Sequence, residues 1–165
     1  MEDKEKILGK LKEITLFEEI KNNDEYMQLL LDVFKLKHFR EGETIITEGE
    51  VGDEMYIVYR GGVEILKKTR AGDYYTVIKL RAEDNVYFGE MALIDNDKRS
   101  ATVTASEDSD FLVIKKDDFL KMGNSYPQIG LPITRNIAKI LAGRLRKTTT
   151  DMLTIFDALV NEIRE

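Results

Sequence analysis

Gly89, Glu90 and Arg99 are the residues whose types and spacing could do chemistry together, within the stretch FGEMALIDNDKRSATV at 88–103. A short helical turn starting at Gly89 or Glu90 aims unpaired backbone N–H groups, and the positive end of its dipole, at whatever lies ahead of it. Gly89 has no Cβ, so a ligand can come close to the backbone there. Arg99 opens the next β-branched segment and can fold back over the same spot, giving an oxyanion a charge-assisted and even bidentate pair. Glu90 repels an oxyanion but readily accepts a hydrogen bond from a hydroxyl. Together they describe a site for a sugar phosphate with one negative charge. The same residues also fit a plain turn followed by a solvated surface arginine. By composition alone that plainer reading is the stronger of the two.

The elements that must hold these residues fall into zones. In residues 1–36 apolar side chains recur at helical spacing: Ile7, Leu8, Leu11 and Ile14, then Leu29, Leu30, Val33 and Phe34, with Leu36 at the zone's end. KNND between them reads as a loop, with Asn23 or Asp24 suited to cap the next helix. In residues 37–116 the period drops to two, and ETIITE, MYIVYR, VEILKK, YYTVIKL, ATVTAS and DFLVIKK read as short strands with glycines between them. Many short strands with regular turn signals predict a barrel rather than a parallel sheet. The expected fold is mainly β with flanking helices: a double-stranded β-helix (jelly-roll) barrel, N-terminal helices and a long C-terminal dimerisation helix, one domain overall.

Residues 117–165 read as helical again. DDFLKMG has an acidic start and a glycine stop, and from about Ile133 to Ile163 nothing breaks a helix. Ala138, Leu145, Met152 and Leu159 lie seven apart, as do Ala142, Thr149, Phe156 and Ile163, and the two series interlock. That is an a/d seam, which predicts a two-stranded coiled coil and hence a homodimer. Thr149 is a polar residue inside it.

Bulk composition narrows the function. A net charge of −6 argues against nucleic-acid binding, so an anionic ligand must be met by a local arrangement of groups. The chain has no cysteine and one histidine, His38, which excludes thiol chemistry and leaves no metal site of the histidine–carboxylate kind. Carboxylates are plentiful, but no spacing singles out an acid/base pair, so no catalytic residue is assigned and an enzyme is not expected. No apolar run approaches the ~20 residues of a membrane span, and the charged start MEDKEKILGK does not fit a signal peptide, so the expected location is cytoplasmic with no membrane partner.

Residues 88–103 resemble the phosphate-binding cassette of cyclic nucleotide-binding domains, F-G-E-x-A-L-x, a few variable residues, then R-[AST]-A-[ST]-V. Phe88, Gly89, Glu90, Ala92, Leu93, Arg99, Ser100, Ala101, Thr102 and Val103 match in spacing. Upstream, GETIITEGEVGDEMYIVYRGGVEIL is similar to a second family signature, and the resemblance covers about residues 14–147. Asp97-Lys98 departs from the small residue and proline of many members, which implies a more mobile cassette loop.

The resemblance implies roles. Arg99 pairs with the exocyclic phosphate oxygens, Glu90 accepts from the ribose 2′-hydroxyl, and the Phe88–Gly89–Glu90–Met91–Ala92 turn lines the pocket with its amides. Ser100 donates to the phosphate, with Ala101 beside it; the R-S-A match to bacterial catabolite-activator relatives favours cAMP, with cGMP the alternative. RLRKTTTDML resembles the dimer helix of those relatives, in which hydroxyl residues touch the purine, here Thr148 and Thr149. The expected protein is a stand-alone, dimeric cyclic nucleotide sensor with no other cofactor, acting on an unidentified effector in trans. The alternative is a degenerate fold that has lost its ligand and serves only as a protein-interaction and dimerisation module.

Overall fold

The computed structural model describes residues 2–69 and 72–164. Its helices are α1 (Glu2–Glu13), α2 (Asp24–Val33), α3 (Lys116–Ser125) and α4 (Pro127–Arg164). The strands are β1 (Lys35–Phe39), β2 (Thr44–Ile46), β3 (Glu54–Arg60), β4 (Gly62–Lys68), β5 (Tyr74–Arg81), β6 (Tyr87–Phe88), β7 (Thr102–Ala105) and β8 (Ser109–Lys115). Single 3-10 turns stand at Thr15–Phe17, Ala82–Asp84 and Glu90–Leu93.

The strands form two antiparallel sheets, ordered β1-β8-β3-β6 and β2-β7-β4-β5. Alternation along β3 and β8 explains how the sheets and helices layer. Tyr56, Val58, Phe111 and Val113 meet Ile46, Val63 and Val103 of the other sheet. Met55, Ile57, Leu112 and Ile114, one position out of phase, meet the helices instead. The central strands of the first sheet, β8 and β3, are therefore buried on both faces and almost continuously apolar. The mainly-β architecture with flanking helices is present, but among the described residues no strand pairs from one sheet to the other, so no closed barrel forms. Side chains, not ladder hydrogen bonds, join the sheets.

Asn23 caps α2, its side-chain oxygen accepting from the Tyr26 N–H at 3.0 Å. The helical reading to Leu36 ends early. Phe34 is extended, and Lys35–Phe39 turns into strand because each residue finds a ladder partner between Ser109 and Val113.

Two expected boundaries shift at the other end. Gly123 does not stop α3, which runs on to Ser125. Instead it lets two helices touch: a Cβ on Gly130 of α4 would lie 2.5 Å from the Gly123 Cα. The last helix starts at Pro127 rather than near Ile133 and runs through Pro132 for 38 residues. Pro127 fits because a first-turn residue has no N–H partner to lose. Pro132 forfeits one interior bond, which the burial of Ile129, Ile133 and Ile137 outweighs. Among the described residues no helix is long and apolar enough to cross a membrane.

Candidate functional site

The cassette begins where β6 ends. Gly89 sits in the left-handed region at φ 77°, a conformation that a side chain would strain, and it launches the 3-10 turn Glu90–Leu93. The first internal bond of the turn runs from the Ala92 N–H to the Gly89 carbonyl at 3.1 Å, so the Glu90 and Met91 amides precede the internal ladder. Leu93 anchors the turn by inserting into the core shared by β3, β8, α3 and α4.

Arg99 folds back onto this turn. Its backbone is fixed by the Arg99 N–H donating to the Glu50 carbonyl at 2.8 Å and by the Gly49 N–H donating to the Arg99 carbonyl at 2.9 Å. Its Nη2 donates to the Glu54 carbonyl at 2.7 Å. The guanidinium lies over Gly52, where a Cβ would come within 2.8 Å of Cζ, and beside Gly89, where a Cβ would come within 2.9 Å of Nη1. The arginine and the glycine turn, ten residues apart, therefore meet in space.

Glu54 holds this end rigid. Burial pushes its carboxyl up, but hydrogen bonds from Lys37 Nζ at 2.7 Å and Tyr56 Oη at 2.6 Å overcome that and leave it below the usual carboxylate range. The Tyr56 hydroxyl is pushed up, first by its own burial and then by the Glu54 carboxylate.

Glu90 is 3% exposed. A carboxylate so buried needs a counter-charge, and Arg144 of α4 supplies it, Nη1 donating to Glu90 Oε1. That pair stands between two cavities. One, of about 130 Å³, is lined by Phe88, Gly89, Glu90, Met91, Arg99, Ser100 and Ala101 together with Ile46, Ile65, Val103 and Arg144. The other, of about 400 Å³, has an apolar wall of Ile65, Ile78, Leu80, Val86 and Phe88, and again reaches Glu90 and Arg144.

Most of the residues singled out by sequence are thus gathered at one place. Ala92 is next to them but buried beneath the turn. Thr148 and Thr149 are not brought in. Both are exposed on α4, beyond Arg144, and line neither cavity; the Thr149 hydroxyl donates to the Leu145 carbonyl of its own helix at 2.9 Å. Among the described residues no group of three His, Cys, Asp or Glu could hold a metal ion.

A family model described as cyclic nucleotide-binding domain matches residues 36–126, more than half the chain. The chain belongs to the cyclic nucleotide-binding domain family. It is 29% identical over 140 residues to the cyclic AMP receptor protein of Thermus thermophilus, covering 84% of this chain and 62% of that protein. The crystal structure of the Thermus thermophilus catabolite activator protein superposes with a TM-score of 0.72 at 29% identity, covering 83% of this chain and 61% of that one. A cyclic GMP-dependent protein kinase of Eimeria tenella is 40% identical over 101 residues, which is 61% of this chain and 9% of the kinase. The chain therefore spans about three fifths of the bacterial relative and under a tenth of the kinase.

Seen as a cyclic nucleotide-binding domain, the site has three participants that sequence reasoning missed. Gly52 looked like one more turn glycine, yet it is the seat of the Arg99 guanidinium. The Glu54 carbonyl aims that guanidinium, and no side-chain pattern reports a carbonyl. Arg144 was legible in principle, because a buried cassette glutamate calls for a cation, but nothing local marks which of the C-terminal basic residues supplies it.

Proposed function

We propose that the protein is a cyclic nucleotide sensor whose ligand is cAMP, bound across the two cavities. The observation that carries this reading is the convergence of the Gly89 turn, the Arg99 guanidinium and the buried Glu90 carboxylate on one small cavity. The cyclic phosphate sits at the turn amides and Arg99, where each charge-assisted hydrogen bond contributes about 1.5–3 kcal/mol. Arg144 engages Oε1 of Glu90, so Oε2 remains to accept from the ribose 2′-hydroxyl. The larger cavity, apolar on its β4–β5 wall, suits the flat face of a purine.

The same reading makes the protein a homodimer. Leu145, Met152, Phe156, Leu159 and Ile163 of the predicted seam are all exposed along α4, and a second copy of the helix would cover them. In such a dimer Thr148 and Thr149 gain a route to the purine from either copy. Ligand state passes through α4 to an effector in trans. We assign no catalytic step, no nucleic-acid or membrane partner and a cytoplasmic location. The names of the relatives, a receptor and cyclic nucleotide-dependent kinases, support a regulatory role.

Calorimetric titration with cAMP and cGMP side by side tests the reading. Expected is saturable binding with cAMP the tighter ligand, and Arg99→Ala weakening it at least about tenfold with the fold intact. An Arg99→Ala protein that binds as the wild type does removes Arg99 from the site. Absence of heat with both nucleotides leaves the degenerate, interaction-only module.

A further inference from the structure

The loop between the cassette turn and Arg99 runs through Asp95, Asn96, Asp97 and Lys98 and contains no proline. A proline there narrows the chain's freedom before any ligand arrives. This chain lacks that restraint and carries another. Lys116, the first residue of α3, reaches back to the loop: its Nζ donates to the Asp95 carbonyl at 2.6 Å and to Asn96 Oδ1 at 2.9 Å. Its backbone N–H donates to the Asp53 carbonyl at 2.7 Å.

These bonds reach both segments that fix Arg99. Asp95 and Asn96 lie on the chain leading into it, and Asp53 adjoins Gly52, on which the guanidinium rests. Between them Lys98 bridges to Val51, and the Arg99 N–H donates to Glu50. Lys116 itself lines neither cavity.

We propose that Lys116 is a positioning residue for the phosphate site. Its ammonium holds Asp95 and Asn96 of the loop while its backbone N–H holds Asp53, so that Arg99 is presented to the ligand already ordered, as a proline in the loop would otherwise do. This rests on the cyclic nucleotide reading and adds to it the residue that sets the affinity from outside the pocket. Without the tether the loop must be ordered at the moment of binding, and affinity falls by that cost although every ligand-contacting group is intact.

The position is suited to a rescue experiment. The Lys98 N–H donates to the adjacent Asp97 carboxylate at 2.7 Å, while the bonds flanking the bridge are made by Arg99 and Gly49. Proline at 98 therefore removes no ladder bond. The wild type, Lys116→Ala, Lys98→Pro and the double variant are titrated with cAMP, and amide exchange across residues 95–100 is followed without ligand. Expected for Lys116→Ala is an affinity about five- to twentyfold weaker, faster exchange across the loop and little change in melting temperature. The double variant returns to within about threefold of wild type.

Unchanged affinity in Lys116→Ala overturns the proposal, as does a loss that the proline at 98 leaves in place. If Lys98→Pro by itself harms binding, the exchange data decide: loop protection equal to wild type in Lys116→Ala overturns it. A wild type that binds no cyclic nucleotide sinks the functional reading instead, and loop exchange then reads the tether alone.

Discussion

Helix α4 has two halves with similar apolar spacing and opposite surroundings. In the first, Ile129, Ile133 and Ile137 are sealed to 1% exposure or less against α3, the N-terminal turn and the first sheet. Asn136 adds a hydrogen bond to the Leu16 carbonyl at 3.0 Å, and Arg135 and Lys139 both pair with Glu19. In the second, Leu145, Phe156 and Ile163 are 68%, 61% and 76% exposed. Periodicity marks a face that wants cover; it does not say whether the cover comes from the same chain. Arg144 stands at the junction, paired with Glu90, so the site touches the helix where its packed half becomes the unpacked one.

The largest effect that would break this contrast is expected at Ile133→Asp. A charge placed among sealed isoleucines has no partner, which costs several kcal/mol, and the variant should lose its cooperative thermal transition. Phe156→Glu should do the opposite kind of damage. Sedimentation should show monomers at concentrations where the wild type is dimeric, while circular dichroism of the fold core is retained. A mutant that stays dimeric would deny the seam its role.

Gly130→Ala probes the packed half more gently. The new methyl meets the Gly123 Cα, so the helices must part, at about 1–3 kcal/mol read from denaturant midpoints. The smallest change sharpens the unpacked half. Thr149→Val replaces the polar seam residue with an apolar isostere. If Thr149 serves only the seam, dimers tighten by less than about tenfold and cAMP affinity holds. Weaker cAMP binding in that variant instead gives its hydroxyl to the purine.

Much of the fold was readable because strand periodicity survives burial. ETIITE, MYIVYR, VEILKK, YYTVIKL, ATVTAS and DFLVIKK each contain the strand observed, within a residue or two at the ends. β1 was misread because Leu36 continues a helical spacing, and only its ladder with β8 decides otherwise. β6 was invisible: Tyr87–Phe88 has no alternation to detect and is defined by its pairing with Tyr56 and Ile57. In the site, the cassette residues could be read because their chemistry lies in their side chains and their order along the chain. Gly52, the Glu54 carbonyl and Lys116 could not, because what they contribute is a space, a backbone oxygen and a reach across the fold.

The Arg144–Glu90 contact has a mechanical consequence. From Arg144 to its described end α4 runs on for about 30 Å at 1.5 Å per residue, so the contact works close to the fulcrum of a long arm. A tilt of about 10° there would sweep the far tip through about 5 Å, roughly the rise of one helical turn. Whatever grips the tip would feel an ångström-scale adjustment beside Glu90 as a displacement several times larger.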